Sequence, residues 1–327
     1  MRPRMLLFVL AALLFLTLFR YSGALTLQVT LNISKPIYGI GDQANIWGNV
    51  TLEGAIVGNA LVAVQVNNPN GTPVILRTRY TQSTPVTTEI DILGVTPCDA
   101  NARAKNWFKR GEENFAYFRI QLENFGTLPK YAEIALNIFD VRNVAFEALI
   151  VFKGLLPAGL TELLISEPLP QDIPLGTAAI YVSALTALPS NGGYAYCPEK
   201  SAVFSIADSA VDPTPITEPP PTGNYNLRFL IDNYARTRNF RPGLYNVTVT
   251  SKLQTLTANA TRIFEVILTA DINRDGAVDI YDAILLANAY GAAPGNPRWN
   301  MNADINDDDL VDIYDAIILA NNYGKKA

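Results

Sequence analysis

Near the end of this chain a 22-residue segment occurs twice, and that repeat most narrows what the chain can fold into. Residues 270–291 read ADINRDGAVDIYDAILLANAYG, and residues 303–324 read ADINDDDLVDIYDAIILANNYG, 33 positions later. Each copy opens a 12-residue loop with oxygen-bearing residues at alternate places. In the first, the candidate ligands are Asp271, Asn273, Asp275, Asp279 and Asp282, with the main-chain carbonyl of Ala277. In the second they are Asp304, Asn306, Asp308, Asp312 and Asp315, with the carbonyl of Leu310. These are loop positions 1, 3, 5, 9, 12 and 7, the order that winds six or more oxygens around a calcium ion. Two bound calcium ions are the cofactors this pattern predicts. Such a ligand set is too large and too rich in carboxylates for magnesium, which keeps most of its waters.

The charge distribution agrees. Residues 270–327 hold ten Asp, no Glu and four Lys or Arg, whereas the whole chain carries a net −5. The other 269 residues are therefore close to neutral, and the acidity belongs to one segment. That points to a hard cation and away from a nucleic-acid partner.

Two features separate these loops from an EF-hand pair. Position 12 is Asp rather than Glu, and no helix precedes either loop. In both respects residues 271–324 resemble a type I dockerin. The resemblance implies a loop leading into one helix in each half, here 280–290 and 313–323, and a near two-fold arrangement of the halves. It also implies a cohesin-like protein domain as partner. In that family positions 10 and 11 of each loop touch the partner, which here are Ile280 and Tyr281, then Ile313 and Tyr314. The tyrosines are expected to face outward and the isoleucines to pack inside. Because both halves carry the same pair, a partner could bind in either of two orientations. Position 6 of the second loop is Asp309 where glycine is usual. A left-handed residue is needed there, so the second site is expected to be the weaker.

Upstream, the chain reads as short strands, and Val, Thr, Tyr and Phe recur in alternation. Strands are expected at 25–33, 44–52, 61–66 and 74–80, then again at 225–231, 244–250 and 261–268. Residues 38–42 read as a turn, and Asn70-Gly71 as a hairpin. Tyr245 follows a Pro-Gly turn and resembles the tyrosine corner of immunoglobulin-like sandwiches. Between the two groups lie seven further candidates, at 89–95, 116–123, 132–140, 145–152, 161–168, 176–184 and 202–206. A proline-rich linker follows at 208–221.

The fold class read from this is mainly β, with two immunoglobulin-like sandwiches, one inserted in the other, and a small α-helical calcium module. The boundaries are 25–86 with 222–269 for the discontinuous sandwich, 87–207 for the insert and 270–327 for the module. The runs KPIYGIGDQANIWGNV, VAVQVNNPNG and PGLYNVTV with ATRIFEV resemble the immunoglobulin-like domains of archaeal and bacterial surface proteins. All five N-x-S/T sequons, at Asn32, Asn49, Asn70, Asn246 and Asn259, lie in the outer pieces. The insert has seven Asn and no sequon.

The N-terminus reads as an export signal, residues 1–24. Arg2 and Arg4 precede an apolar run from Met5 to Phe19, shorter than the ~20 residues a membrane helix needs, and Ser22 and Ala24 fit a cleavage site. An uncleaved membrane anchor is the alternative. Export makes a disulfide between the two cysteines, Cys98 and Cys197, the expected state.

The sequence has no histidine, which excludes Ser-His-Asp and Cys-His nucleophiles and histidine-ligated zinc. No paired-carboxylate motif stands out. Trp47 and Trp107 read equally well as core or strand-edge residues. The chain is therefore read as a non-catalytic, secreted or surface glycoprotein. The alternative is an accessory or carbohydrate-binding component of a polysaccharide-degrading complex.

Overall fold

The computed structural model describes residues 25–81, 88–216, 223–232 and 240–326. The export segment and part of the proline-rich linker, including Pro219 to Pro221, lie outside them. Among the described residues no helix is long and apolar enough to cross a membrane.

The protein is mainly β. Seven strands come first: β1 (Leu27–Val29), β2 (Asn32–Ile33), β3 (Ile37–Gly39), β4 (Gln43–Leu52), β5 (Ala55–Ile56), β6 (Leu61–Asn67) and β7 (Pro73–Tyr80). Eight follow: β8 (Ile90–Cys98), β9 (Trp107–Lys109), β10 (Phe115–Asn124), β11 (Lys130–Phe139), β12 (Ala145–Leu156), β13 (Gly159–Pro168), β14 (Gly176–Leu185) and β15 (Lys200–Ala207). Three more, β16 (Asn224–Leu230), β17 (Gly243–Leu253) and β18 (Leu256–Ile267), precede two helices, α1 (Ile280–Ala289) and α2 (Ile313–Asn322).

Strand pairing divides these into two β bodies. In the outer body, β16 pairs with β4 in one sheet, and the other sheet runs β3-β18-β17-β6-β7. The strands β16–β18 thus complete sheets begun much earlier in the chain, with Asn224 facing Asn49 and Asn246 facing Asn67. The inner body has a sheet β13-β10-β8 and a sheet β12-β11-β14-β15-β9. Alternate residues of each strand turn to one face and build a core in each body, and the two cores run together where Phe139 and Tyr181 of the inner body join the outer cluster. Val62, Val64, Tyr225, Phe229, Tyr245 and Phe264 share the outer core. Phe108, Phe118, Ile134, Phe146 and Phe204 share the inner one.

Tyrosine hydroxyls fix the corners of the outer body. The Tyr245 ring is fully buried, and its hydroxyl donates to the Arg241 carbonyl at 2.9 Å and accepts from the Arg241 amide at 2.7 Å. Tyr225 donates to the Thr30 carbonyl at 2.5 Å across the opposite sheet. Gly48 lies under that contact. A Cβ there would stand 1.9 Å from the Thr30 oxygen and 2.7 Å from the Tyr225 hydroxyl, so only glycine fits.

Two sequence expectations differ from the structure, and the sequons are unequally exposed. Residues 38 and 39, read as part of a turn, belong to β3, a short strand parallel to β18. The turn is confined to Ile40 and Gly41, with Gly41 at φ 101°. Asn246, Asn32, Asn70 and Asn259 are exposed, whereas Asn49 is half-buried and its side chain accepts from Thr30 Oγ1 at 2.8 Å. Finally, Cys98 and Cys197 are buried and not joined. Cys98 ends β8, whereas Cys197 lies against Asp91 and Ile92 at the start of that strand. At about 3.3 Å per residue those two points are ~20 Å apart, well beyond the ~7 Å Cα limit for a disulfide. Burial pushes both thiols up from the ordinary cysteine range.

Candidate metal centre

The repeated loops occupy 271–282 and 304–315, each running into a helix. Their geometry begins with the backbone. Position 4 is left-handed in both, Arg274 at φ 61° and Asp307 at φ 59°, as is position 6, Gly276 at φ 87° and Asp309 at φ 68°. Those two reversals wind the loop so that alternate side chains point inward. Glycine adopts this region freely, but Asp309 takes it at a cost.

Hydrogen bonds lock the winding, and those made between residues of the first loop recur 33 residues on. Asp271 accepts from the amides of Asp275 at 3.1 Å and Gly276 at 2.8 Å; Asp304 accepts from Asp308 at 3.1 Å and Asp309 at 2.9 Å. Asn273 accepts from the Asp275 amide, and Asp275 from that of Ala277, both at 3.0 Å. Position 12 closes the ring. Asp282 accepts from the amides of Ile272 at 2.7 Å, Asn273 at 3.1 Å and Asp279 at 2.8 Å. Asp315 does the same with Ile305, Asn306 and Asp312 at 2.7, 3.2 and 2.8 Å. Asp279 and Asp312 then cap the helices, each accepting from the amide two residues on, Tyr281 at 2.9 Å and Tyr314 at 2.7 Å.

The electrostatics leave a deficit of positive charge. Asp282 and Asp315 are fully buried, yet among the described residues no Lys or Arg forms an ion pair with either. Burial, with the nearby Asp282 and Asp275 charges, pushes the Asp271 carboxyl above the ordinary aspartate range, and Asp304 behaves likewise beside Asp315 and Asp308. Buried carboxylates without a cation are costly. Among the described residues no three Asp, Glu or Cys side chains converge as a ready-made cage. The donor set of each loop is instead mixed, with an asparagine and the carbonyl of Ala277 or Leu310 beside the carboxylates. Each carboxylate also keeps lone pairs beyond those its amide partners use. All twelve residues expected as ligands fall on these two loops, and their oxygen-rich donor types are those a hard cation takes.

The halves are joined reciprocally. Val278 donates to the Lys325 carbonyl at 2.9 Å and accepts from Gly324 at 2.8 Å. Val311 donates to Ala292 at 3.0 Å and accepts from Gly291 at 2.8 Å. Both pairs shift by 33, so the module is close to two-fold symmetric. Its core is Ile272, Val278, Leu286, Val311 and Leu319, with Leu268 and Ala270 from the end of the β body.

The residues after each loop are exposed. Ile280 and Tyr281 are 55% and 63% accessible, and Ile313 and Tyr314 are 53% and 62%. The tyrosines lie as expected, but the isoleucines do not pack inside. The buried stripe of α1 runs through Asp282, Leu286 and Ala289, an i, i+4, i+7 series that leaves Ile280 and Ile284 on the far side.

No protein-family model and no curated protein matches this sequence. Among solved structures, it is similar to the alkylpurine DNA glycosylase AlkC of Pseudomonas fluorescens, bound to DNA containing an abasic-site analogue, at 14% identity and TM-score 0.28 over 37% of this chain and 31% of that one. It is similar to a β-glucosidase from Listeria innocua at 9% and 0.24, over 37% and 16% of the chains. A Parabacteroides merdae β-glucuronidase is similar at 7% and 0.24, over 51% and 28%. The chain thus spans under a third of each of these proteins, and TM-scores this low fall short of a shared fold.

Proposed function

We propose that this is a non-catalytic exported protein that docks, through a calcium-loaded dockerin-like module, onto a cohesin-like domain in a cell-surface or extracellular assembly. The observation that carries the reading is the presentation of two identical Ile-Tyr pairs, Ile280-Tyr281 and Ile313-Tyr314, at matching exposure on a near two-fold module. Exposed large apolar residues grouped in this way mark a contact surface, and tyrosine is a favoured anchor. The fully buried Asp282 and Asp315 supply the calcium dependence, since a cation bound only by the folded loops stabilises them by linkage. In the same reading the two β bodies are immunoglobulin-like sandwiches, 87–207 inserted between 25–86 and 222–269. The Tyr245–Arg241 corner supports this.

The test is capture of a cohesin-bearing protein on the immobilised full chain in calcium. Capture lost in chelator and restored by calcium supports the reading. Full capture by a Tyr281→Ala/Tyr314→Ala variant, or capture indifferent to chelator, would refute it.

A further inference from the structure

A cavity of about 570 Å³ lies where the two β bodies meet, away from the calcium loops. Its walls come from β7, β16, the β11–β12 turn, β14 and the segment 214–216. Contacts across the junction pin those walls. Arg77 on β7 holds Glu199 of the inner body at 2.6 Å, Arg142 holds Asp232 at 2.7 Å, and Asn143 Nδ2 donates to the Arg228 carbonyl at 2.6 Å. The space is therefore preformed, at a junction between bodies and within the size range of small-ligand sites.

The lining is cationic. Arg77, Arg79 and Arg228 contribute, against one carboxylate, Asp140, which Arg142 already holds at 3.0 Å. Arg77 and Arg79 share Glu199, the second reaching it only at 3.7 Å. Arg228 is exposed and has no carboxylate within ion-pair distance among the described residues. Asn226 stands two residues from it on the same face of β16. Thr177 and Asn143 add short hydrogen-bonding groups, and the exposed Val141 and Ile216 add apolar surface. A guanidinium pairs best with a planar carboxylate, in two parallel hydrogen bonds. Amide and hydroxyl groups around it suit a polyol.

We propose that this cavity binds a carboxylated sugar of one or two rings, with Arg228 taking the carboxylate and Asn226 a neighbouring hydroxyl. The test is isothermal titration of the full chain with glucuronate, digalacturonate, glucose and an N-acetyl dipeptide. An acidic sugar should bind at least about tenfold more tightly than glucose, a difference of ~1.4 kcal/mol. Arg228→Glu should abolish binding without lowering Tm, and chelator should leave it unchanged, which separates this site from the calcium loops. No binding of either acid, equal affinity for glucose, tighter binding of the dipeptide, or unchanged binding in Arg228→Glu would overturn it.

Discussion

Replacing Arg77 with methionine should unfold more of this protein than any surface change could. Arg77 sits on the outer body with 4% of its side chain exposed, and its partner Glu199 sits on the inner body at 8%. Two guanidinium nitrogens meet the carboxylate, at 2.6 and 2.9 Å, and the Thr78 amide adds a third donor at 2.8 Å. The guanidinium also covers Tyr181, 3.4 Å from the ring centroid. Methionine would fill much of the space but leave Glu199 with Arg79 at 3.7 Å as its remaining ion pair. Removing one partner of a buried pair costs about 3–5 kcal/mol, because the other charge stays buried. Changing both residues removes that charge. Arg77→Met/Glu199→Met should then lose only ~1–3 kcal/mol, chiefly for the orphaned Thr78 amide. Urea unfolding at neutral pH, followed by tyrosine and tryptophan fluorescence, reads both values. A single variant within ~1 kcal/mol of wild type, or a double variant less stable than the single, would refute the reasoning.

Other outcomes rest on single sites. Gly48→Ala should cost roughly 3 kcal/mol or more, since its methyl meets the Thr30 carbonyl at 1.9 Å; a Tm within a few degrees of wild type would refute this. Asp309→Gly should relieve the left-handed strain at φ 68° and bring the second calcium site closer to the first, read by calcium titration calorimetry; unchanged affinities would remove the strain argument. Glu167 is buried near Glu147, and burial first, then that charge, raises its carboxyl from 4.5 to about 7. The folded state thus favours the neutral form, so stability is lost as pH rises from ~4.5 through 7. Glu167→Gln should match wild type near pH 4 and exceed it at pH 8, and parallel stability curves would contradict this. Under non-reducing conditions, both thiols should be slow to react with maleimide in the folded protein and label freely once it is unfolded. A mass showing a Cys98–Cys197 bond would sink the geometry.

How far each feature could be read from the sequence depends on how local its cause is. Each loop with its capped helix is built from one short run of consecutive residues, so spacing alone displays it. The longer strands are equally legible, because burial of one face writes a period of two into β4, β10 and β16. The short strands β3 and β9 are not, since each is held by parallel pairing to a partner far along the chain, β18 and β15. The cysteines mislead for a related reason. Sequence places one near each end of the insert but does not tell that Cys197 meets the opposite end of β8 from Cys98. The isoleucines mislead through chemistry. Asp282 and Asp315 are core positions disguised as charged ones, so counting apolar residues alone puts the helix face out of phase.

The junction between module and β body shows the same dependence on distant partners. Arg274 and Asp307 look like incidental charges at position 4, which contributes no ligand. In the fold they are the attachment points. Arg274 meets Glu265 on β18 at 3.2 Å, and Asp307 meets Lys35 at 2.5 Å. Thr269 Oγ1 adds a bond to the Ile40 carbonyl at 2.7 Å. Position 4 is not among the expected ligand positions, so these contacts hold the module without using the carboxylates assigned to a cation. The signs also matter. Turning the near-symmetric module about its own two-fold would set Arg274 against Lys35 and Asp307 against Glu265, and like charges in contact are destabilising. On the proposed reading the repeat would make the two halves interchangeable toward a partner, whereas these two charges make them distinct toward the body. A module that is nearly symmetric on its exposed face therefore has one seat on its own chain.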